Sequence, residues 1–234
     1  GALALGLANL LIESGNIDSD FLRQWTNGPF LLRDSDSMPL QANAVFGGAA
    51  ANERVAWDEV DNSPVLYDPQ SATYVGSDGS ALALTGNFEV TGMDGTVIPC
   101  RPAFDHYAAL CRDFAPERVA ELTWVEPEEL RAAAQIVAAA PAVSCYSWSG
   151  VGQHTNASQT SRAIAILYAL TGNFDAPGGN VLFETIPLAD MVGADLLLEE
   201  QSVKALGFEK RPLGPEAQGW ITTEDLYDSI LDGK

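Results

Sequence analysis

The chain has 234 residues, of which 47% are hydrophobic, and this is enough for one large or two small globular domains with a buried core. Asp and Glu number 32 against 12 Lys and Arg, so the formal charge of -20 disfavours nucleic acid and anionic membrane surfaces as partners. The apolar opening, residues 2–12, is too short to span a bilayer and lacks the basic flank of a signal peptide.

Two helices are predicted at the start of the chain. Apolar residues at helical spacing indicate the first over residues 2–14, and Ser19 is the expected cap of the second. Turn-forming residues then interrupt short extended runs, of which residues 64–67 and 81–91 are the best strand candidates. Residues 33–95 are therefore interpreted as an irregular, strand-rich insertion.

Helical patterns return at residues 103–112, 116–122 and 127–139. Pro127 suits the first position of the last of these, and the two acidic residues that follow it favour the positive end of a helix. The acidic pairs in this helix and at Glu199–Glu200 suit capping and solvation better than paired catalytic carboxylates.

The end of the chain has weaker patterns. A short helix is predicted near residues 190–198, and Thr222 or Thr223 is expected to cap a final helix. The chain opens on Gly1 without a helix cap and stops at Lys234, where a further element should begin. Both ends are therefore expected to be cut from a longer protein.

The middle of the chain carries the most informative pattern. Residues 142–148 form an apolar run of strand length, residues 149–156 a polar loop, and residues 158–170 a helix that ends near Gly172. Helix, strand, loop and helix in this order are typical of an α/β domain with a parallel sheet.

The loop after this predicted strand lies where open α/β sheets bind their ligands. Gly150 and Gly152 would let the backbone approach a ligand closely, and polar side chains surround them beside the next helix N-terminus, a natural anion site. Phosphate or a nucleotide is the simplest ligand. The loop lacks the third glycine of a dinucleotide fingerprint, and a plain polar turn fits it equally well. His154 suits orientation of the loop slightly better than acid–base chemistry.

Three cysteines, Cys100, Cys111 and Cys145, lie far apart and form no C-x-x-C motif, which argues against a zinc knuckle or an iron–sulfur cluster. All three are expected to be free and buried, and Cys145 is interpreted as a core residue of the predicted strand. The compartment stays open.

Three runs around the loop share a wider pattern. They are Ser149-Gly-Val-Gly-Gln-His-Thr-Asn156, residues 159–173, and Ala176-Pro-Gly-Gly-Asn-Val181. They resemble the cofactor domains of the molybdopterin oxidoreductase family related to dimethyl sulfoxide reductase, formate dehydrogenase and thiosulfate or polysulfide reductases. Four further stretches resemble the family in the same order: residues 2–15, 114–121, 128–140 and 226–234.

The resemblance implies an internal part of a catalytic subunit. It implies a Rossmann-like, mostly parallel sheet flanked by helices, with residues 1–32 and 96–234 forming the cofactor domain. That domain would hold a bis(molybdopterin guanine dinucleotide) cofactor with molybdenum or tungsten. The implied contacts are Ser149, Gly150, Val151, Gly152, Gln153, His154 and Asn156.

No segment matches the family region that supplies a metal ligand, so no catalytic or metal-binding residue is assigned, and the chain alone is expected to be inactive. An iron–sulfur cluster is expected, if anywhere, in a part of the protein N-terminal to this chain. The implied partners are the rest of the catalytic subunit and an iron–sulfur electron-transfer subunit. The alternative is a noncatalytic α/β module that binds a nucleotide or another small ligand through the same loop.

Overall fold

A computed structural model of the protein describes residues 1–182, 196–210, 215 and 220–233. The chain divides into two compact units, residues 1–182 and residues 183–234. The helices of the first unit are α1 (Ala2–Glu13), α2 (Ser19–Trp25), α3 (Ala103–Arg112), α4 (Pro116–Thr123), α5 (Pro127–Ala139), α6 (Ser149–Gly152) and α7 (Ala157–Leu170). Its strands are β1 (Leu31–Arg33), β2 (Arg54–Asp58), β3 (Ser63–Asp68), β4 (Thr73–Tyr74), β5 (Phe88–Thr91) and β6 (Val97–Pro102). In the second unit the described residues form α8 (Glu199–Ser202) and α9 (Thr223–Asp232).

Helix α1 is the centre of the helical layer, because α3, α4, α5 and α7 all pack against it. Small buried residues on α1, including Ala4, Gly6 and Ala8, permit this close packing. A Cβ at Gly6 would lie 2.7 Å from Cγ2 of Val119 on α4 and 3.0 Å from Cδ2 of Leu130 on α5. The crossing of these three helices therefore depends on the missing side chain of Gly6.

Two three-stranded antiparallel sheets lie between α2 and α3 in the sequence. In the first, β6 is central and pairs with β1 and β5, so that Cys100 lies opposite both Arg33 and Phe88. In the second, β3 lies between β2 and β4. A buried cluster that includes Leu31, Val55 and Val90 links the two sheets. The assignment of residues 33–95 as an insertion into a cofactor domain of residues 1–32 and 96–234 stays a prediction.

The α/β class is confirmed, but the expected Rossmann-like, mostly parallel sheet is not. Every ladder between strands in the described ranges is antiparallel, and the parallel pairing found there is one isolated bridge between Phe174 and Asn180. Residues 142–148, the main candidate for a parallel strand, form no ladder. A parallel strand needs neighbours contributed by distant parts of a sequence, and no strand of residues 1–182 lies beside this segment.

Most predicted helices are confirmed, and α5 has the predicted bounds. Helix α2 is capped one residue earlier than expected, since the carboxylate of Asp18 accepts the Phe21 N–H at 2.8 Å and Ser19 is already helical. Thr222 caps α9, which confirms one of the two predicted caps, Thr222 and Thr223. The strand predicted at residues 64–67 lies within β3, whereas only the last part of residues 81–91 is a strand.

The helix predicted near residues 190–198 falls mostly outside the described residues. In the ranges that the structure describes, every helix is too short or too polar to cross a lipid bilayer.

The cysteines differ in exposure. Cys100 and Cys111 are free and fully buried, as predicted, but Cys145 is exposed, so its interpretation as a core residue is wrong. Cys145 lies on the segment that joins no sheet, and its side chain is exposed although it contacts the Tyr168 side chain. Burial, and then the negative charge of Asp34, raise the pKa of Cys100 to about 11, and burial raises the pKa of Cys111.

We expect iodoacetamide at pH 8 to modify Cys145 at least roughly a hundredfold faster than the other two cysteines, because buried thiols react only when the structure opens. Peptide mass spectrometry over a time course measures the three rates. Equal rates would show that Cys145 is covered.

The raised pKa of Cys100 also affects the stability of the protein. It stabilises the native state below the ordinary thiol pKa of 9.0, and this contribution is lost as the pH rises toward about 11.

Candidate functional site

The predicted ligand loop is an exposed pair of turns between residues 142–148 and α7. Its first part is the single helical turn α6, after which the Gln153 N–H donates to the Gly150 carbonyl over 3.3 Å. The Ala157 N–H then donates to the His154 carbonyl over 3.1 Å, and α7 begins. These local bonds bring the seven candidate contacts together: Ser149, Gly150, Val151, Gly152, Gln153, His154 and Asn156. Val151 is half-buried and the other six are exposed.

The two loop glycines have no partner that requires them to be glycine. A Cβ at Gly150 or Gly152 would meet no atom of the described residues within 4 Å, and neither glycine has a left-handed φ. By contrast, a Cβ at Gly179 would lie 2.6 Å from the Asn173 carbonyl oxygen. The space in front of Gly150 and Gly152 is therefore open within the described part of the chain.

The electrostatics beside the loop favour an anion. The 14-residue helix α7 has no acidic residue in its first turn, and Asn156 at its N-cap position makes no capping hydrogen bond with its side chain. Residues 130–174 contain no Asp or Glu, although 32 of the 234 residues are acidic. The positive end of α7 is thus not neutralised by a carboxylate of its own segment.

The His154 imidazole is exposed and makes no hydrogen bond within residues 1–182, and its role in orienting the loop stays a prediction. No group of three or more His, Cys, Asp and Glu side chains in the described part of the chain is arranged to hold a metal ion.

The segment before the loop exposes large apolar side chains. Tyr146 is 89% exposed and Trp148 is 78% exposed. Phe174 and Leu182, which follow α7 in the chain, are exposed as well. Apolar patches of this kind mark surfaces that bind a ligand or another part of a protein.

Two asparagines contact this segment, and neither is among the seven predicted cofactor contacts, although both lie in runs that resemble the family. Asn173 Oδ1 accepts the Val143 N–H at 3.0 Å, and Asn180 Oδ1 accepts the Cys145 N–H at 3.1 Å. Each asparagine directly follows a glycine, in Gly172-Asn173 and Gly179-Asn180. This repeated pair was the available signal, although sequence alone does not show which backbone it contacts.

Comparison with known proteins gives several relatives, while no family model matches the chain. The chain is 32% identical to dopamine dehydroxylase of Eggerthella lenta, in an alignment that covers all of this chain and 32% of that protein. It is 28% identical to the dimethylsulfide dehydrogenase subunit alpha of Rhodovulum sulfidophilum, over 76% of this chain and 19% of the relative. It is 25% identical to the perchlorate reductase subunit alpha of Dechloromonas aromatica, over 77% of this chain and 22% of the relative.

The chain thus spans about a third of the length of dopamine dehydroxylase and a smaller share of the two alpha subunits. These relatives are catalytic subunits of molybdopterin enzymes, and their alignments cover three quarters or more of the chain. The resemblance found in the three runs around the loop agrees with them. The chain belongs to the molybdopterin oxidoreductase family of dimethyl sulfoxide reductase.

Proposed function

We propose that this chain is the cofactor-holding part of a catalytic subunit that carries out two-electron oxidation or reduction, including oxygen- or sulfur-atom transfer. The cofactor would be a bis(molybdopterin guanine dinucleotide) with molybdenum or tungsten, and it supplies the redox chemistry at its metal when bound. The relatives named as alpha subunits support a further proposal, that the complete protein works with partner subunits. An iron–sulfur electron-transfer subunit is the partner we propose.

The observation that carries the proposal is the open space at Gly150 and Gly152 beside the unneutralised N-terminus of α7. A guanine dinucleotide contains a pyrophosphate, and backbone N–H groups at a helix N-terminus bind phosphates well. The exposed amide and hydroxyl groups of Ser149, Gln153 and Asn156 can donate to or accept from pterin, ribose or guanine atoms.

The residues of this chain would bind and orient the cofactor and exclude water from one of its sides. The glycines would let the backbone approach the cofactor. The exposed rings of Tyr146 and Trp148 would shield one side of the cofactor from water. The ligand to the metal would come from another part of the catalytic subunit.

The test is the composition of the complete protein purified under conditions that retain cofactors. Metal analysis is expected to find molybdenum or tungsten in stoichiometric amount, and acid hydrolysis is expected to release GMP. A well-folded complete protein that lacks both metals contradicts the proposal. If that metal-free protein also bound GDP, the noncatalytic nucleotide-binding module would be the better interpretation.

A further inference from the structure

The backbone that leads into the loop is held along one side. The N–H groups of Val143 and Cys145 both donate to side chains from residues 173–180, at 3.0 and 3.1 Å. In an extended chain, alternate N–H groups face the same side, so two acceptors correctly spaced can hold the segment as a neighbouring strand would. Here the acceptors are the side-chain oxygens of Asn173 and Asn180.

Asn173 is fixed in place by its own bonds. It is 7% exposed, and its Nδ2 donates to the Thr171 hydroxyl oxygen at 2.8 Å and to the Thr171 carbonyl at 3.3 Å. The Thr171 hydroxyl in turn donates to the Leu167 carbonyl at 2.8 Å, so its hydrogen is already used. The amide of Asn173 can therefore present only its oxygen to Val143.

Asn180 is fixed through its backbone. Its N–H donates to the Asn173 carbonyl at 2.8 Å, and its carbonyl accepts the Asp175 N–H at 2.7 Å. Its side-chain Nδ2 is buried and has no hydrogen-bond partner in the described residues. Only the oxygen of this side chain is in use, which makes Asn180 different from Asn173.

The turn that joins the two asparagines is tight. Gly172 and Gly178 have left-handed φ values of 64° and 81°, and Gly179 packs against the Asn173 carbonyl. The turn follows α7 directly, and the Leu170 carbonyl at the end of α7 accepts the Asp18 N–H at 2.7 Å. Both ends of the loop are thus tied to α7: the far end continues into the helix, and the near end is held by the asparagines that follow it.

We propose that Asn173 and Asn180 are positioning residues for the cofactor loop, because they fix the backbone of residues 143–145 and so set where Ser149–Gly152 meets the cofactor. This role rests on the proposed function of the loop. The two asparagines act through the backbone, and neither is assigned a contact with the cofactor.

The difference between the two asparagines provides the test. Asn180→Asp keeps an acceptor oxygen for Cys145 and puts a second carboxylate oxygen in place of the unpartnered Nδ2, so it should still hold Cys145, whereas Asn180→Ala should not. Asn173→Asp loses both bonds to Thr171 and turns a carboxylate toward two acceptor oxygens, so it should fail as Asn173→Ala does. Asn87→Ala, at an exposed position in the strand-rich region, is the control.

The first measurement is hydrogen–deuterium exchange at the amides of residues 143 and 145 in the complete protein. We expect at least about fivefold faster exchange at Cys145 in Asn180→Ala, and at Val143 in both Asn173 variants, because one hydrogen bond is lost. Asn180→Asp and the control should exchange as the wild type does. The second measurement is the molybdenum or tungsten content, which should fall at least about fivefold in the same three variants and stay unchanged in Asn180→Asp.

The outcomes separate the two proposals. Wild-type exchange in Asn180→Ala overturns the positioning role, and so does faster exchange with an unchanged metal content, which would leave the proposed function of the loop intact. A metal content that falls equally in Asn180→Asp and Asn180→Ala also overturns it, because the acceptor oxygen would not be what matters. A wild-type protein without either metal overturns the proposed function itself, and the positioning role with it.

Discussion

Replacing Gly152 with valine is expected to lower the metal content of the complete protein by roughly 5- to 100-fold, because forcing a side chain into an occupied space costs about 1–3 kcal/mol. The fold itself should tolerate the change, since a Cβ at this position meets no described atom within 4 Å and the φ of Gly152 suits other residues. Metal analysis, together with circular dichroism and the melting temperature, measures both effects.

Gly47→Val is the matched control for this variant. Gly47 is also exposed, also has a φ outside the left-handed region, and a Cβ there would lie 3.6 Å from the Met93 methyl group, an ordinary contact. It should keep the wild-type metal content. Gly150→Val should behave as Gly152→Val does. Full metal occupancy in both loop variants would show that the cofactor does not approach these glycines.

The second large effect is expected at the crossing of α1 with α4 and α5. Gly6→Val should destabilise the protein by about 3 kcal/mol or more, because the added Cβ alone would lie 2.7 Å from Val119 Cγ2. Val119 is fully buried and β-branched, so its side chain cannot turn away easily. For a domain of this size, this loss lowers the melting temperature by roughly 6–12 °C.

Thermal and urea unfolding measure the effect, and Leu3→Val, which puts the same side chain on an exposed face of α1, is the control. Gly6→Ala should cost less, because its smaller overlap is partly offset by a gain in helix propensity of about 1 kcal/mol. Combining Gly6→Ala with Val119→Ala should cost less than the sum of the two single changes, since the removed methyl groups make room for the new one. Strict additivity would argue against the contact.

The helices were predicted well because their signals are local. Pro127 and the acidic residues after it fix the start of α5, where the Glu129 carboxylate also accepts the Glu126 N–H at 3.3 Å. The predicted cap of α2 is one residue too late, because Asp18 and Ser19 are adjacent and the side chain of either residue can cap a helix. Only the bond to Phe21 distinguishes them.

The sheets were predicted less well because their signals are not local. In β6, Cys100 pairs with Arg33, a residue far away in the sequence, and no periodicity encodes that partner. The apolar run at residues 142–148 was assigned as a buried strand on composition, and its composition remains that of a strand. Its burial in a sheet would require a neighbouring strand. Residues 1–182 provide no strand beside it, and Cys145 is exposed.

The sequence predicts where the candidate site lies in the chain, but it does not predict the hydrogen bonds that hold the site. The position of the loop between an apolar run and a helix could be read from the sequence, and the seven residues do lie together. The hydrogen bonds that Asn173 and Asn180 accept from Val143 and Cys145 could not be read from it, because they join residues 30 and 35 positions apart. A turn rich in glycine and asparagine has the same appearance whether or not its side chains hold another segment.

The hydrogen bonds along residues 143–145 also bear on the solubility of the protein. A segment rich in Val, Cys, Tyr and Trp and without charge is a typical template for aggregation when its backbone is unpaired. Proteins usually protect such an edge with lysine, proline or a bulge. Here the side-chain oxygens of two asparagines accept the Val143 and Cys145 N–H groups, so these two groups are not free to pair with a strand of another molecule.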